Sequence, residues 1–241
     1  MNDDLNNQKQ PVYEAVKDIP KTFEIDQSLF SKSFLWMFWG ILCTAIVSFI
    51  TYSTGLLATM VGKTGIIVAL IVELVVVLAF SFGFKKLSAT VVSVLYFLYA
   101  IVNGFVLSIL FYAYELNSIV LLFGVTALIF GGLSVIGKTT KADIMPYGKM
   151  IGLFLLGGII LTIVNLFLKN PMLDIALDWA MLALFCGCTI YDVYRLKNQS
   201  LDYGEDMTQG GKLHVYFAMQ LYLDFVNIFL RILSIMGKRK N

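Results

Sequence analysis

Seven runs of twenty or more predominantly apolar residues follow one another through this chain: Phe34–Ser53, Thr64–Phe84, Ala89–Tyr114, Ser118–Gly137, Gly148–Leu168, Met172–Tyr194 and Leu213–Met236. One helix needs roughly 20 such residues to cross the hydrocarbon core of a bilayer. In lipid, a lone segment satisfies its own backbone polar groups only as a helix. The runs therefore predict an all-α, seven-transmembrane helix bundle. Composition agrees: 59% of the residues are hydrophobic and 14% charged, where soluble domains carry roughly a quarter charged.

The links between runs are short and carry turn or charge signals, such as Lys85-Lys86, Glu115-Leu116-Asn117 and Lys169-Asn170-Pro171. Tight links make consecutive helices antiparallel neighbours. Residues 1–33 mix acids, lysines, amides and prolines without the apolar centre of a cleaved leader. They read as a cytoplasmic N-terminal tail, with at most a short amphipathic helix near Phe23 to Phe30. Residues 34–236 make the membrane domain and 237–241 a basic C-terminal tail. With the N-terminus inside, the inner segments hold twelve Lys and Arg, and the outer segments five. That excess supports the orientation. Full crossing by the last run then puts Lys238, Arg239 and Lys240 outside, against the same rule.

Composition also removes several function classes. A net charge of +2 without a basic array argues against nucleic acid. The single histidine, His214, leaves little room for histidine-based chemistry. Cys43, Cys186 and Cys188 all lie in apolar runs, so neither a disulfide framework nor a zinc site is expected. GxGxxG, P-loop, HExxH and GxSxG patterns are absent, and no cofactor is implied. Gly131-Gly132 and Gly157-Gly158 read as places where helices pack closely.

The informative residues are the polar ones inside the apolar runs. Gln220, Asp224, Asn227 and Arg231 are spaced four, three and four, which is one face of the last helix. Such a stripe must face protein or trapped water rather than lipid, so the last helix is enclosed by others. Asp224 and Arg231 are two turns, about 10 Å, apart and too far to neutralise each other directly. Asp192 lies near the inner end of the sixth run, with Arg195 three residues on. On spacing it either pairs with Arg195 at the interface or approaches Asp224. A close carboxyl pair would share one proton, holding two helices together when protonated and repelling when ionised. Glu73, at the centre of the second run, is either paired with a cation such as Arg231 or neutral and hydrogen-bonded to Asn103 or Asn165. Asp174 and Asp178 open the sixth run, where acids favour a helix N-terminus; with Glu115 they would otherwise make an outer acidic mouth that attracts cations.

The closing block Leu221–Leu233, LYLDFVNIFLRIL, and the Tyr191-Asp192 pair that ends the sixth run resemble the Bax inhibitor-1 family, also called the transmembrane BAX inhibitor motif family, in its bacterial branch. Glu73 and Asn103-Gly104 also fit, and the likeness covers about residues 30 to 236. The resemblance implies six helices in antiparallel pairs around a central C-terminal helix. It also implies a pH-sensitive calcium leak whose proton sensor and gate would be Asp192 and Asp224, with Glu73, Arg231, Asn227 and Gln220 along the ion pathway or latch. The family sensor is associated with an arginine on the second span. This chain has none, and Lys85 or Lys86 would have to substitute, without the bidentate fork of a guanidinium.

Calcium would be the transported ion, met transiently by carboxylate oxygens, and the protein is not expected to be an enzyme. The alternative implied by relatives is a regulator that binds a membrane protease or other membrane protein, with residues 1–33 and the Arg195–Lys212 link as recognition surfaces. Either way the expected location is a bacterial plasma membrane, multi-pass, with lipid as the surrounding partner.

Overall fold

The computed structural model describes residues 27–56, 62–84, 86–198 and 212–240. They form seven long helices: α1 Gln27–Ser53, α2 Gly62–Gly83, α3 Ala89–Leu107, α4 Leu116–Thr139, α5 Gly148–Leu168, α6 Pro171–Asn198 and α7 Leu213–Met236. A four-residue helical turn, Leu110–Ala113, follows α3, and a 3-10 turn, Met145–Tyr147, precedes α5. Six of the seven are long and apolar enough to cross a membrane; α2 carries the apolar stretch Ile71–Phe80 among its described residues. All seven expected spans are present. Two reach further than hydropathy suggests. α1 starts at Gln27 rather than Phe34, so the N-terminal tail cannot extend to residue 33 as a separate segment. α6 continues past Tyr194 to Asn198, because Arg195 and Lys197 fall in its last turn, where cations suit the carbonyl end of a helix.

The helix ends follow from local chemistry. Ser88 accepts the Val91 N–H at the start of α3, the ordinary role of a cap residue. At the α5–α6 link Lys169 takes a left-handed φ of 51° and donates its N–H to the Asn165 carbonyl. Asn170 then caps α6 by accepting the Met172 and Leu173 N–H groups, and Pro171 opens the helix where no N–H is needed. Within the spans, hydroxyls turn back onto carbonyls one turn earlier: Ser33 to Leu29, Thr126 to Leu122, Ser134 to Phe130 and Thr162 to Gly158. Each hydroxyl is thereby satisfied inside its own helix and tolerable in lipid.

α7 is the hub. It packs on α1, α3, α4 and α6, while α2 leans on α3 and α5 on α6. Fourteen of the 24 residues of α7 are buried, including Asp224, against only Gly158 and Asn165 on α5. Leu153, Phe154 and Phe167 of α5 are exposed, as expected of a helix whose outer face meets acyl chains. Within each half the tightest contacts are between alternate helices that run the same way. Gly104 of α3 lies so close to α1 that an added Cβ would sit 2.7 Å from the Thr44 carbonyl oxygen and 2.9 Å from Val47 Cβ. Gly137 of α4 meets Ile190 O and Val193 of α6 equally closely. Gly131, Gly132 and Gly157 face open space, and Gly158 meets only the Met181 side chain. Backbone meets backbone most closely at Gly104 and Gly137; of the two Gly-Gly pairs only Gly158 packs against a neighbour, the Met181 side chain of α6.

Aromatic rings fill the space around α7. Tyr96 and Tyr99 of α3 meet Tyr222 edge-on; Phe123 and Phe130 of α4 meet Phe225. The Tyr222 hydroxyl is 2.6 Å from Thr44 Oγ1, which also reaches the Ala100 carbonyl at 2.9 Å. One hydroxyl thus joins α1, α3 and α7.

The ends of the helices define two faces. The near face holds the starts of α1 and α7, where Trp36 packs on His214. The far face holds the α3–α4 and α5–α6 links and the C-terminal tail, so α7 makes one complete crossing. The tail is tied down there. Glu115 N–H donates to Lys238 O and Lys240 N–H to Ala113 O. Lys238 pairs with Glu115 at 2.8 Å, and Lys240 Nζ donates to Phe111 O at 2.7 Å.

Candidate functional site

The charged stripe of α7 meets α6 at two levels. Near its middle, Asp224 is 5% exposed, and its carboxyl lies beside that of Asp192 of α6, close enough for the two to interact directly. Thr189, one turn before Asp192, also reaches Asp224. Asp192 lies about 9 Å from the end of α6 at 1.5 Å per residue, and Asp224 about 16 Å into α7 by the same rise, so with the two carboxyls level α7 begins roughly 7 Å beyond the end of α6. Oδ2 of Asp224 is buried without a hydrogen-bond partner among the described residues. A carboxylate charge left on that oxygen without a partner would be costly.

Arg195 supplies the cation. It faces Asp192 electrostatically and lies over the Tyr216 and Phe217 rings, 5.6 and 5.9 Å from their centroids. Of the two alternatives open for Asp192, it lies beside Asp224, and Arg195 acts on it through its charge. Of the two lysines expected to substitute, Lys86 is exposed and Lys85 lies outside the described residues. The cation comes from one turn further along α6. Cys186 and Cys188 are the other titratable groups near Asp224.

At the second level Arg231 Nη1 is 2.6 Å from Asp178 Oδ1, and Ser234 donates to Asp178 Oδ2 at 2.5 Å. Arg231 is thus not the partner of Glu73. The other two partners expected of Glu73 are engaged as well. Asn165 donates to Asp174 and to the Asn170 carbonyl, and Asn103 donates to the Tyr99 hydroxyl at 3.1 Å. Glu73 lies within electrostatic reach of Tyr99 and Tyr222. Its Oε1 and the Oδ1 of Asn103 are buried without partners among the described residues.

The remaining residues separate. Gln220 donates to Tyr216 and Asn227 to the Leu223 carbonyl, both one turn back on α7. Neither bridges helices, so the interhelical part of the stripe is Asp224 and Arg231. The three outer acids do not form one cation-attracting mouth. Asp178 is neutralised by Arg231, Glu115 by Lys238, and Asp174 takes an amide from Asn165. Among the described residues no group of three or more His, Cys, Asp or Glu side chains is placed to hold a metal ion. Thr189 and the Thr44–Tyr222 contact were not singled out from sequence, because a lone hydroxyl in an apolar run gives no periodic signal.

Residues 26–241 match the family model described as Inhibitor of apoptosis-promoting Bax1. Inner membrane protein YbhL of Escherichia coli is 34% identical over 218 residues, 89% of this chain and 93% of the relative. An uncharacterised protein of Deinococcus radiodurans is 32% identical over 91% of this chain and 94% of its own length. One of Borreliella burgdorferi is 29% identical over 99% of both. With six other long helices beside a buried, carboxyl-bearing α7, and a family match across nearly its whole length, this chain is a multi-pass integral membrane protein that belongs to the Bax inhibitor-1 family.

Proposed function

We propose that this protein is a pH-sensitive calcium leak pathway, gated by the Asp192–Asp224 pair, in a bacterial plasma membrane with its near face cytoplasmic. The observation that carries the reading is the close approach of the Asp192 and Asp224 carboxyls between α6 and the enclosed α7. Two carboxyls that close hydrogen-bond to each other only while the pair keeps a proton. Once both groups ionise, two unit charges about 4 Å apart repel by about 4 kcal/mol at an effective dielectric of 20. Hydrogen bonds between membrane helices contribute roughly 0.6–1.7 kcal/mol each, so the repulsion exceeds any single polar contact that would hold α6 on α7. Arg195 offsets one charge, that of Asp192, and leaves Asp224 as the group that must leave or find water. The sign follows: protonation closes the path, and rising pH opens it.

The test is calcium entry into dye-loaded liposomes carrying the full chain, measured from about pH 6 to 8, the range a shared carboxyl proton can reach. Flux that rises with pH in the parent, and loses that dependence in Asp192→Asn/Asp224→Asn, is the expected result. Equal pH profiles in parent and double variant would refute the gate. A chain without flux at any pH would instead favour the regulatory reading, tested by partner capture with and without residues 1–33.

A further inference from the structure

We propose that the cleft at the far end of α6 and α7 binds the headgroup of a zwitterionic phospholipid, phosphate toward Arg239 and primary ammonium toward Asp174. The cleft has a volume of about 410 Å³ and is walled by Asp174, Asp178, Arg231, Ser234 and Arg239. Sites for small ligands generally occupy about 300–1,000 Å³, so it has room for a headgroup. It is distinct from the Asp192–Asp224 contact and does not depend on the gating reading.

The charges inside the cleft are not all used. Arg231 and Asp178 neutralise each other, and Ser234 fixes the second Asp178 oxygen. They make a rigid, neutral floor. Arg239 is held by its main chain in the bridge to Tyr114. Its guanidinium has no carboxylate within ion-pair distance among the described residues; the two ion pairs found there are Arg231–Asp178 and Lys238–Glu115. Asp174 likewise has no cation at that distance, and its carboxylate takes one amide N–H from Asn165. One uncompensated positive and one uncompensated negative group therefore line the same cleft. A singly charged ligand would satisfy one and oppose the other, whereas a dipolar ligand satisfies both. Guanidinium is the side chain best matched to phosphate, through paired N–H donors. A primary ammonium donates hydrogen bonds to a carboxylate, and a quaternary one does not.

The position of the cleft selects lipid as the source of that dipole. It opens at the first two turns of α6, where Met172 is 81%, Ile175 61% and Trp179 56% exposed. Apolar and Trp side chains so exposed on a membrane helix lie against acyl chains and the headgroup boundary. The charged walls thus sit at headgroup level beside a surface made for tails.

The experiment uses the full chain, delipidated in detergent micelles and titrated with short-chain phosphatidylethanolamine, phosphatidylcholine, phosphatidylglycerol or inorganic phosphate. Binding is read from the rise in unfolding temperature and by native mass spectrometry. Phosphatidylethanolamine is expected to bind saturably and at least tenfold more tightly than the other three. Arg239→Gln and Asp174→Asn should each weaken it at least tenfold, while Arg239→Lys keeps part of the affinity. Tighter binding of phosphatidylglycerol would show an anion site, and equal binding of inorganic phosphate a free-phosphate site. Equal response to all three lipids would show an unspecific lipid annulus. Each of these outcomes, or unchanged affinity in both variants, overturns the proposal. If either variant fails to fold, the headgroup series on the parent chain decides alone.

Discussion

Replacing Arg231 by Met tests whether the second α6–α7 contact holds the hub helix in place. The Arg231 and Asp178 side chains are 24% and 15% exposed and 2.6 Å apart. An exposed ion pair is worth roughly 0–1 kcal/mol, and removing one partner of a fully buried pair costs roughly 3–5 kcal/mol. This pair lies between those limits and nearer the buried one. Arg231→Met should therefore cost about 2–3 kcal/mol, a shift of roughly 30- to 150-fold in the folding equilibrium at 1.4 kcal/mol per decade. Most of that loss is the Asp178 carboxylate left with Ser234 as its hydroxyl donor, not the attraction itself. Asp178→Leu in the same chain removes the stranded charge, and Arg231→Met/Asp178→Leu should regain at least half of the loss. The assay is a double-mutant cycle on unfolding in mixed detergent micelles, with Ser234 unchanged. Strict additivity of the two single variants would refute the reasoning, because it would mean that neither charge depends on the other.

Four further outcomes follow from the packing and the tail contacts. Gly104→Ala should lower stability by about 1–3 kcal/mol, the usual cost of forcing extra volume into a packed contact, since its Cβ would meet Thr44 O and Val47. Gly131→Ala, with open space around it, should unfold at the parent's temperature in the same scan. Tyr222→Phe should cost about 0.6–1.7 kcal/mol, the range for interhelical hydrogen bonds in membranes, by freeing the Thr44 hydroxyl from α7; an unchanged unfolding temperature would contradict the role given to that contact. Lys238→Ala should cost under about 1 kcal/mol because its pair with Glu115 is largely solvated, and a large loss in the same assay would show that the tail matters beyond its main-chain bonds.

The spans were legible in sequence because a bilayer imposes both length and apolarity, and no soluble alternative uses seven such runs. The inward stripe was legible for the same reason: Asp224 and Arg231 have no acceptable place in lipid. The ends were less so. Hydropathy stops at the first charges, while α6 continues through Arg195 and Lys197 in its last turn. Pair identities were the least accessible. Arg231 had Glu73 as its candidate partner, whereas Asp178 lies beside it, because the partner depends on how α6 crosses α7, a tertiary quantity with no local signature. The glycines show the same limit. Gly131-Gly132 looks like a packing motif, yet the close approaches fall at the single Gly104 and Gly137, because helix rotation decides which glycine meets a neighbour. Arg195 was visible only as an interfacial partner of Asp192. Its additional seat over Tyr216 and Phe217 depends on where α7 begins.

The central claim is that one shared proton joins α6 to α7. Its most direct measure is the distance between the Asp192 and Asp224 carboxyl carbons in crystals grown from lipid at acid and at neutral pH. The account predicts hydrogen-bond contact at acid pH and a clear separation at neutral pH, with Arg195 remaining beside Asp192. An identical close contact at both values, in a protein whose calcium flux still changes with pH, would contradict it.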